Sequence, residues 1–350
     1  MKIGLVIYGS LDTVSGGYLY DRKLVEYLRT QGDIVEIISM PWRNYGTHLM
    51  DNFHFRLPKD LDIVIQDELN HPSLIWANVG KHPYPLVSLV HHLRCSELRP
   101  QWQNDFYRTI EKKYLQSMDG FIFNSKTTKS VVNGLIVNEK PSIIAYPPTD
   151  RFGKIISETE IRERAKGDEL RILFLGNVIY RKGLHTLLEA VKSLKSKVRI
   201  DVVGGLTAEP KYSEEMQRLV SVNALSSNVT FHGALDNEPL IEMYKQAHVM
   251  VAPSSYEGFG IVYLEGMGFG LPAIGTTAGA ASEVITHGED GYLITPDDAT
   301  TLANILSELA NKRDLLLKLS LNAANRYKQQ PKWGETAKSI REFLYRIVVA

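Results

Sequence analysis

The chain lacks the features that mark secreted, membrane-spanning and nucleic-acid-binding proteins. Its 350 residues include one cysteine, Cys95, which excludes an internal disulfide framework and favours a reducing cytoplasm. Acidic and basic residues are balanced at 40 each, which argues against a dedicated nucleic-acid binder. No apolar run approaches the roughly 20 residues that span a bilayer. The segment Met1–Tyr8 is too short for the core of a signal peptide. We therefore expect a cytoplasmic protein.

The chain instead shows a regular alternation of short apolar segments and amphipathic segments. This alternation predicts an α/β fold of parallel sheets with helices on both faces, and the length suits about two domains. The predicted strands of a first series are Lys2–Ile7, Ile34–Ile38, Ile63–Gln66, Leu86–Val90, Gly120–Phe123 and Ser142–Ala145. Those of a second series are Arg171–Leu175, Arg199–Val203, Val229–His232, His248–Val251, Pro272–Gly275 and Tyr292–Thr295.

A break in the pattern separates the two series. Tyr146–Asp150 contains two adjacent prolines, which remove backbone donors and disfavour a helix. The stretch that follows, Lys154–Glu169, is charged and poor in apolar residues. We predict Rossmann-like domains over residues 1–150 and 170–332, a hinge over 151–169, and a C-terminal amphipathic helix over 333–350.

A glycine-rich turn in the second half of the chain is the strongest functional pattern. The apolar strand His248–Val251 leads into Pro253–Pro272, which contains two carboxylates, Glu257 and Glu265, among glycines. A strand that enters such a turn before a helix is typical of a binding site for a phosphorylated ligand, because backbone N–H groups are uncovered there. Carboxylates repel phosphate, so in such a site they suit the hydroxyls of a sugar or ribose. The alternative is that both are surface acids of a helix.

This turn resembles the two-glutamate motif of retaining glycosyltransferases with the GT-B fold, in the large group 1 (family 4) set. Glu257 and Glu265 occupy the two acidic positions. Four further segments follow in that family's order and spacing: Gly176–Gly183, Asn228–Gly233, Gly279–Glu283 and Asp290–Ile294. The resemblance covers the second half of the chain and, more weakly, the first half. It implies two Rossmann-like domains that face each other across a cleft, and a C-terminal helix that crosses back to the first domain.

Lys182 and Arg181 form a pair of cations where a loop meets a helix. Such a pair can clamp a diphosphate, and the alternative is ordinary surface charge. The resemblance implies that Lys182, followed by Gly183, contacts the donor diphosphate. The family often has arginine where this chain has Asn177, so Arg181 is our candidate for the second phosphate contact.

The resemblance also assigns the other donor contacts. Glu257 would face the transferred sugar and Glu265 would bind the ribose hydroxyls, while the base would lie near Gly204, His232 and Gly233. The full donor-binding set is Gly16, Gly17, Arg181, Lys182, Glu257, Gly258, Phe259, Gly260, Ile261 and Glu265.

In the first half, Gly16 and Gly17 precede a predicted helix and can present N–H groups to an anion. A simple helix-entry turn is the alternative. The pattern is not the dinucleotide-binding fingerprint, so a nicotinamide cofactor is not supported. His91 and His92 follow the strand Leu86–Val90, at the end where open α/β sheets bind ligands. The resemblance implies that His91 reaches the sugar. The alternative is a loop histidine with no ligand, which we favour for His92.

We predict no essential metal ion. Adjacent histidines in an extended chain point to opposite faces. Asp60 and Asp62 resemble a metal-binding D-x-D motif, but they precede a strand and are better interpreted as turn residues. Asp297 and Asp298 are better interpreted as the N-terminal cap of a helix.

These patterns and the resemblance lead to a functional hypothesis. The chain would be a retaining glycosyltransferase that moves a sugar from a nucleotide sugar, with UDP or GDP favoured, to an acceptor hydroxyl of a glycan, a lipid-linked molecule or a small molecule. His91, Lys182 and Glu257 would be the catalytic residues. The alternatives are a non-catalytic partner subunit of the same fold, or a nucleotide-sugar enzyme with another product, such as an epimerase or a sugar-phosphate synthase.

Aromatic residues in the first half suggest where an acceptor would bind. The loops Trp42–Phe55 and His91–Gln103 carry aromatic side chains that suit stacking on sugar rings, although packing beneath long loops explains at least half of them. The segment Arg94–Lys113 mixes basic and aromatic residues. A solvated helix with a buried aromatic stripe is the favoured interpretation, and peripheral contact with the inner face of a membrane is the alternative.

Overall fold

A computed structural model describes residues 1–13, 15–148, 150–153 and 156–349. Contacts divide the chain into two compact units. Unit 1 comprises Met1–Pro148 and Pro331–Ala350, and unit 2 comprises Thr149–Gln330. Each unit contains a six-stranded parallel sheet with flanking helices, so the predicted α/β class is confirmed. No helix in the described ranges has the length and apolar character needed to cross a bilayer.

The strands lie within about two residues of their predicted positions. They are β1 (Lys2–Tyr8), β2 (Ile34–Met40), β3 (Ile63–Asp67), β4 (Leu86–Val90), β5 (Gly120–Phe123), β6 (Ser142–Ile144), β7 (Leu170–Leu175), β8 (Val198–Val203), β9 (Val229–Gly233), β10 (Val249–Val251), β11 (Ala273–Thr276) and β12 (Gly291–Ile294). Because the strands are buried on both faces, their near-continuous apolar runs were easy to find in the sequence.

The helices connect these strands and surround the sheets. They are α1 (Gly16–Thr30), α2 (Tyr45–Asp51), α3 (His71–Leu74), α4 (Gln101–Gln116), α5 (Lys126–Asn133), α6 (Glu158–Ala165), α7 (Leu184–Lys192), α8 (Pro210–Val222), α9 (Asn237–Gln246), α10 (Ile261–Gly268), α11 (Ala281–Val284), α12 (Ala299–Asn311), α13 (Arg313–Lys328) and α14 (Trp333–Val349).

In unit 1 the strand order is β2-β1-β3-β4-β5-β6. Helix α1 begins at an N-cap, Ser15, whose hydroxyl accepts the backbone N–H of Tyr18. The C-terminal helix α14 packs on α1, and its Ile340 and Phe343 share one core cluster with Leu24. This packing explains why the last residues belong to unit 1.

In unit 2 the strand order is β12-β11-β10-β7-β8-β9. The carboxyl ends of β10, β7 and β8 are therefore adjacent, and the loops that follow these strands lie side by side. The two cations of the sequence pattern follow β7, and the glycine-rich turn follows β10. Strand order thus brings together segments that are about 75 residues apart in the chain.

The predicted hinge over 151–169 differs from what the structure contains. Helix α6 lies within it, with a complete capping box between Ser157 and Glu160. Arg164 of α6 donates hydrogen bonds to the carbonyl oxygens of Phe269 and Gly270. The charged composition suggested a linker because α6 buries only Ile161 and Ala165. Lys154 and Ile155 of the predicted hinge, and Thr149 of the proline-containing break before it, lie outside the described residues.

Candidate active site

The centre of the candidate site in unit 2 is an ion pair between Lys182 and Glu257. Lys182 Nζ lies 2.5 Å from Glu257 Oε1, and the Ser254 hydroxyl donates to the same oxygen at 2.7 Å. Arg181 Nη1 lies 3.9 Å from Glu257 Oε2 and donates to the carbonyl oxygen of Tyr256 at 2.7 Å. The two predicted catalytic residues of this unit, and the predicted second cation, therefore share one cluster.

A glycine allows the two loops to approach closely. Gly183 has φ +72°, and a Cβ at this position would collide with the carbonyl oxygen of Pro253. The neighbouring Ser255 N–H donates to the carbonyl oxygen of Arg181 at 2.8 Å. Close backbone contact between the loops after β7 and β10 is what places Lys182 against Glu257.

Burial and charge act in opposite directions on this pair. Burial alone would raise the pKa of Glu257, but the charges of Lys182 and Arg181, with hydrogen bonds from Lys182 and Ser254, lower it to about 2. The pKa of Lys182 is lowered because the cost of burial exceeds the stabilisation by Glu257. At neutral pH Glu257 is therefore a charged acceptor of hydrogen bonds.

The backbone of Glu257 is held by a second loop. Its carbonyl oxygen accepts the N–H of Ala280 at 2.8 Å, and its own N–H donates to the carbonyl oxygen of Ala278. Gly279 lies between these residues with φ +83°, and a Cβ there would collide with the Glu257 backbone. The segment that begins at Gly279 thus holds Glu257 in position.

Glu265 lies on α10 and is 3% exposed. Arg151 Nη1 donates to its Oε1 at 2.7 Å, and the Tyr244 hydroxyl donates to its Oε2 at 2.8 Å. Arg151 also donates to Asn237 Oδ1 at 3.0 Å. Sequence analysis missed Arg151, Tyr244 and Ser254 because no local pattern distinguishes them from other polar residues.

The remaining donor-site predictions fall on three neighbouring turns of unit 2. Gly258, Phe259 and Gly260 lead into α10, and Gly260 has φ +88° directly before Ile261. Gly204 N–H donates to the carbonyl oxygen of Gly233 at 2.8 Å, so two predicted base-proximal residues are in contact.

Two further side chains of this region are already engaged in hydrogen bonds. His232 Nε2 lies 2.7 Å from Asp201 Oδ1. Asn177, at the position where the family often has arginine, accepts the N–H of Gly205 at 3.2 Å through its side chain. The Asn177 side chain thus accepts a hydrogen bond from the protein backbone in this structure.

In unit 1 the predicted glycines and histidine lie together. Gly16 and Gly17 open α1, and a Cβ on Gly17 would meet the ring of His91 at 3.3 Å. His91 Nε2 lies 3.2 Å from Asp21 Oδ1, and Asp67 completes a cluster with both. Sequence analysis missed Asp21 and Asp67, which lie within a helix and at a strand end without a motif.

His92 and a second buried cluster of unit 1 already have hydrogen-bond partners within the protein. His92 Nε2 lies 3.0 Å from Glu97 Oε1. Glu68, His71 and Glu111 lie close together in the same unit. Both His71 ring nitrogens have partners there, the carbonyl oxygen of Glu68 and the hydroxyl of Tyr45, each at 2.9 Å. Hydrogen bonding thus accounts for the polar groups of this cluster.

The two acidic pairs interpreted as turn and cap residues have those roles. Asp60 is exposed and pairs with Lys2 Nζ at 2.6 Å, and Asp62 accepts the backbone N–H of Lys2 at 2.7 Å, beside the start of β1. Asp298 caps α12 by accepting the N–H of Thr301 at 2.9 Å. Asp297 accepts a hydrogen bond from His185 and has φ +62°.

Comparisons with known proteins identify the family that part of the chain resembles. Residues 156–326 match the family model described as glycosyl transferases group 1. The D-rhamnosyltransferase WbpZ of Pseudomonas aeruginosa is 28% identical over 71% of this chain and 67% of its own length. The O-antigen chain mannosyltransferase C of Escherichia coli is 27% identical over 91% of this chain and 83% of its own. Some other curated glycosyltransferases match over little more than a third of their length.

Solved structures show the same fold over almost the whole chain. Sucrose-phosphate synthase of Thermosynechococcus elongatus superposes with a TM-score of 0.83 and 21% identity, covering 99% of this chain and 98% of that one. HepE of Anabaena in complex with UDP-glucose gives a TM-score of 0.76 and 18% identity, covering 99% and 100%. These likenesses show that the fold is GT-B. Residues 156–326 match the glycosyl transferases of group 1, and the resemblance found in the sequence is confirmed over that part of the chain.

Proposed function

We propose that this protein transfers a sugar from a nucleotide-sugar donor to an acceptor hydroxyl, with retention of anomeric configuration. The observation that carries the proposal is the buried cluster of Lys182, Arg181 and Ser254 around Glu257 in unit 2. Two cations and an ionised carboxylate meet at the carboxyl end of a parallel sheet, where such folds bind nucleotides. Retention rests on the two-glutamate motif, Glu257 and Glu265.

The cluster suits the charge that develops as the sugar departs. A lysine ammonium has three donors, and Glu257 accepts from Lys182 in this structure. The other two donors can serve phosphate oxygens of the leaving nucleoside diphosphate, where fixed positive charge lowers the barrier. Arg181 adds a second cation. Glu257 would accept hydrogen bonds from the transferred sugar, and the N–H groups from Gly258 to Ile261 would bind sugar or phosphate oxygens.

We infer a UDP- or GDP-sugar as the donor. Structural neighbours are complexes with UDP and UDP-glucose, and one curated relative is named as GDP-mannose-dependent. Glu265 would bind the ribose hydroxyls, and the base would lie near Gly204, His232 and Gly233. Gly204 packs against Gly176, which in turn packs against Lys182.

Calorimetry tests the donor assignment. We would titrate UDP, GDP, ADP and dTDP into the wild type and into Glu265→Ala. Selective binding of one nucleotide that is lost in the variant is the expected result. If no nucleotide binds, the assignment is wrong and a non-catalytic partner subunit becomes the better description. Incubation with the matching nucleotide sugar and an alcohol acceptor must then yield the glycosylated alcohol. An isomerised sugar as the product would instead indicate an epimerase.

We also propose that transfer needs no divalent metal ion, because Lys182 and Arg181 supply positive charge where other enzymes use a metal. The measurement is turnover of the metal-free enzyme in excess chelator. Unchanged turnover is expected, and complete loss that added magnesium or manganese restores would contradict the proposal.

Finally, we propose that the acceptor binds through unit 1. When the acceptor is lipid-linked, the protein would work at the cytoplasmic face of a membrane. Trp102 and Phe106 lie one turn apart on α4 and are 71% and 48% exposed, with Lys112 and Lys113 on the same helix. Aromatic and basic residues together favour an anionic lipid surface. Co-sedimentation with phosphatidylglycerol vesicles should fall in Trp102→Ala; equal sedimentation of both proteins would contradict the membrane contact.

A further inference from the structure

Three titratable side chains meet at the carboxyl ends of the unit 1 strands. Asp21 lies on α1, Asp67 ends β3, and His91 follows β4. One oxygen or nitrogen atom from each lies within 4.8 Å of those from the other two. Asp21 and Asp67 are 0% and 1% exposed, so water does not stabilise their charges. The cluster must therefore satisfy its charges internally.

The hydrogen bonds of the two carboxylates are incomplete. Asp21 Oδ1 faces His91 Nε2 at 3.2 Å, and Asp67 Oδ1 accepts the N–H of Leu69 at 2.9 Å. The remaining oxygen of each, Oδ2, is buried and accepts no hydrogen bond from the described residues. An oxygen atom of each carboxyl group lies within 4.8 Å of one from the other. One proton held between them relieves both the repulsion of two buried negative charges and the missing hydrogen bond.

We propose that Asp21 and Asp67 share one proton and together form the single negative counter-ion that keeps His91 in its imidazolium form. The buried trio is then neutral overall. His91 donates through Nε2 to Asp21, and Nδ1 is the ring nitrogen that would donate to a ligand oxygen. Asp21 and Asp67 are thus positioning residues. This inference rests on the proposed function only in taking His91 as a residue that reaches the ligand.

The surroundings of the trio support this distribution of charge. Burial alone would lower the pKa of His91, but the hydrogen bond to Asp21 and the negative charge of the Asp21 and Asp67 carboxyl pair raise it. Burial and the charge of Asp21 raise the pKa of Asp67, partly offset by His91. These shifts agree with a proton on Asp67 and a charged His91.

Other described groups around the trio add no compensating positive charge. Tyr18 and Tyr20 face it from α1, and the Tyr20 ring meets the His91 ring edge-on at 5.4 Å. Glu68, next to Asp67, has a pKa raised by burial and by the neighbouring acidic groups. The Asn124 amide donates to the His91 carbonyl oxygen at 2.7 Å. His91 is thus the positive partner of the pair.

The decisive experiment is an NMR titration of the His91 ring in the full-length protein, with the resonance assigned by its loss in His91→Gln. Asparagine resembles a protonated aspartate in size and charge. Asp67→Asn should therefore leave the pKa of His91 nearly unchanged, because the single negative charge stays on Asp21. In Asp21→Asn, Asp67 can take over the negative charge. The pKa of His91 should therefore fall less in this variant than in the double variant. The double variant Asp21→Asn/Asp67→Asn should lower the pKa by about one pH unit or more, since no counter-ion remains.

Two outcomes would overturn the proposal. The first is a double variant whose His91 titrates as in the wild type. The second is an Asp67→Asn variant whose His91 shifts as far as in the double variant, which would mean that Asp67 is ionised and no proton is shared. Asp297→Asn is the matched control, because Asp297 pairs with His185 Nε2 at 3.1 Å in unit 2. That variant should not move His91.

The pH dependence of transfer separates a positioning role from a structural one. Turnover that needs the imidazolium falls as pH rises through the pKa of His91, and this fall should occur at lower pH in the double variant. A uniform loss at all pH values would indicate a structural role instead. If the wild type binds no nucleotide sugar, the proposed function fails, while the NMR result still decides the proton-sharing inference.

Discussion

Lys182 Nζ and Glu257 Oε1 lie 2.5 Å apart, although 75 residues separate them in the chain. Both side chains are largely buried, at 14% and 9% exposure. Arg181 is the only other cation that approaches Glu257 among the described residues, at 3.9 Å. The site therefore contains one positive charge more than Glu257 neutralises, which suits an anionic donor.

Replacing Lys182 tests the role of this excess charge. Lys182→Met keeps most of the buried aliphatic chain and removes the ammonium group. We expect turnover to fall by about 100-fold or more, the scale seen when one electrostatic contact to a transition state is lost. The control is Lys192→Met on α7, whose lysine pairs with Glu189 and is half exposed. Near-normal turnover in Lys182→Met, in a protein with an unchanged circular dichroism spectrum, would contradict the assignment.

The lowered pKa of Glu257 predicts an acid-dependent stability. Its pKa is about 2 in the fold, below its ordinary value of 4.5, so its ionisation stabilises the fold above about pH 4.5. This contribution, roughly 3 kcal/mol before the burial cost of Lys182 is subtracted, is lost as pH falls towards 2. Urea unfolding at several pH values should give a shallower acid slope for Glu257→Gln. Identical slopes for the variant and the wild type would show that the fold does not lower the pKa of Glu257.

Arg151 should control recognition of ribose through Glu265. Arg151→Gln removes the charged partner at Glu265 Oε1 and leaves the Tyr244 hydroxyl at Oε2. A charged hydrogen bond contributes about 1.5–3 kcal/mol, so nucleotide affinity should fall by about 10-fold or more. The preference for the ribonucleotide over its 2′-deoxy analogue should also shrink.

Calorimetry with both nucleotides measures these two effects. Arg162→Gln is the control, because it breaks an exposed pair with Glu158 on α6, which contributes little. If Arg151→Gln lowers affinity but keeps the full preference for ribose, Arg151 acts on another part of the ligand.

Gly183 should be intolerant of any side chain. Its φ of +72° and its contact with the Pro253 carbonyl oxygen both oppose a Cβ. Gly183→Ala should therefore lower the free energy of unfolding by more than the roughly 1–2 kcal/mol that a left-handed conformation alone costs. Gly288→Ala is the matched control, with φ +80° and no atom within 4 Å of a Cβ. Equal losses in the two variants, measured by urea unfolding, would show that the two loops separate easily.

Much of the fold was predictable because its signals are local. Strand β4 was predicted with its observed bounds, Leu86–Val90, and α14, observed over Trp333–Val349, was predicted over 333–350. Apolar runs and helical periodicity report burial directly. The helix α6 was missed because a short helix with only two buried residues has little periodicity. Its capping box, Ser157 with Glu160, was the available signal.

The α/β alternation, the glycine-rich turn after β10 and the residue types of the candidate donor site could all be recognised in the sequence. Each of these depends on neighbours within one strand, turn or helix. Which side chains meet depends on the folded structure. Arg151 reaches Glu265 from 114 positions away, and Asp21 reaches His91 from 70. Strand order and loop packing set these pairings, and no local pattern in the chain encodes them.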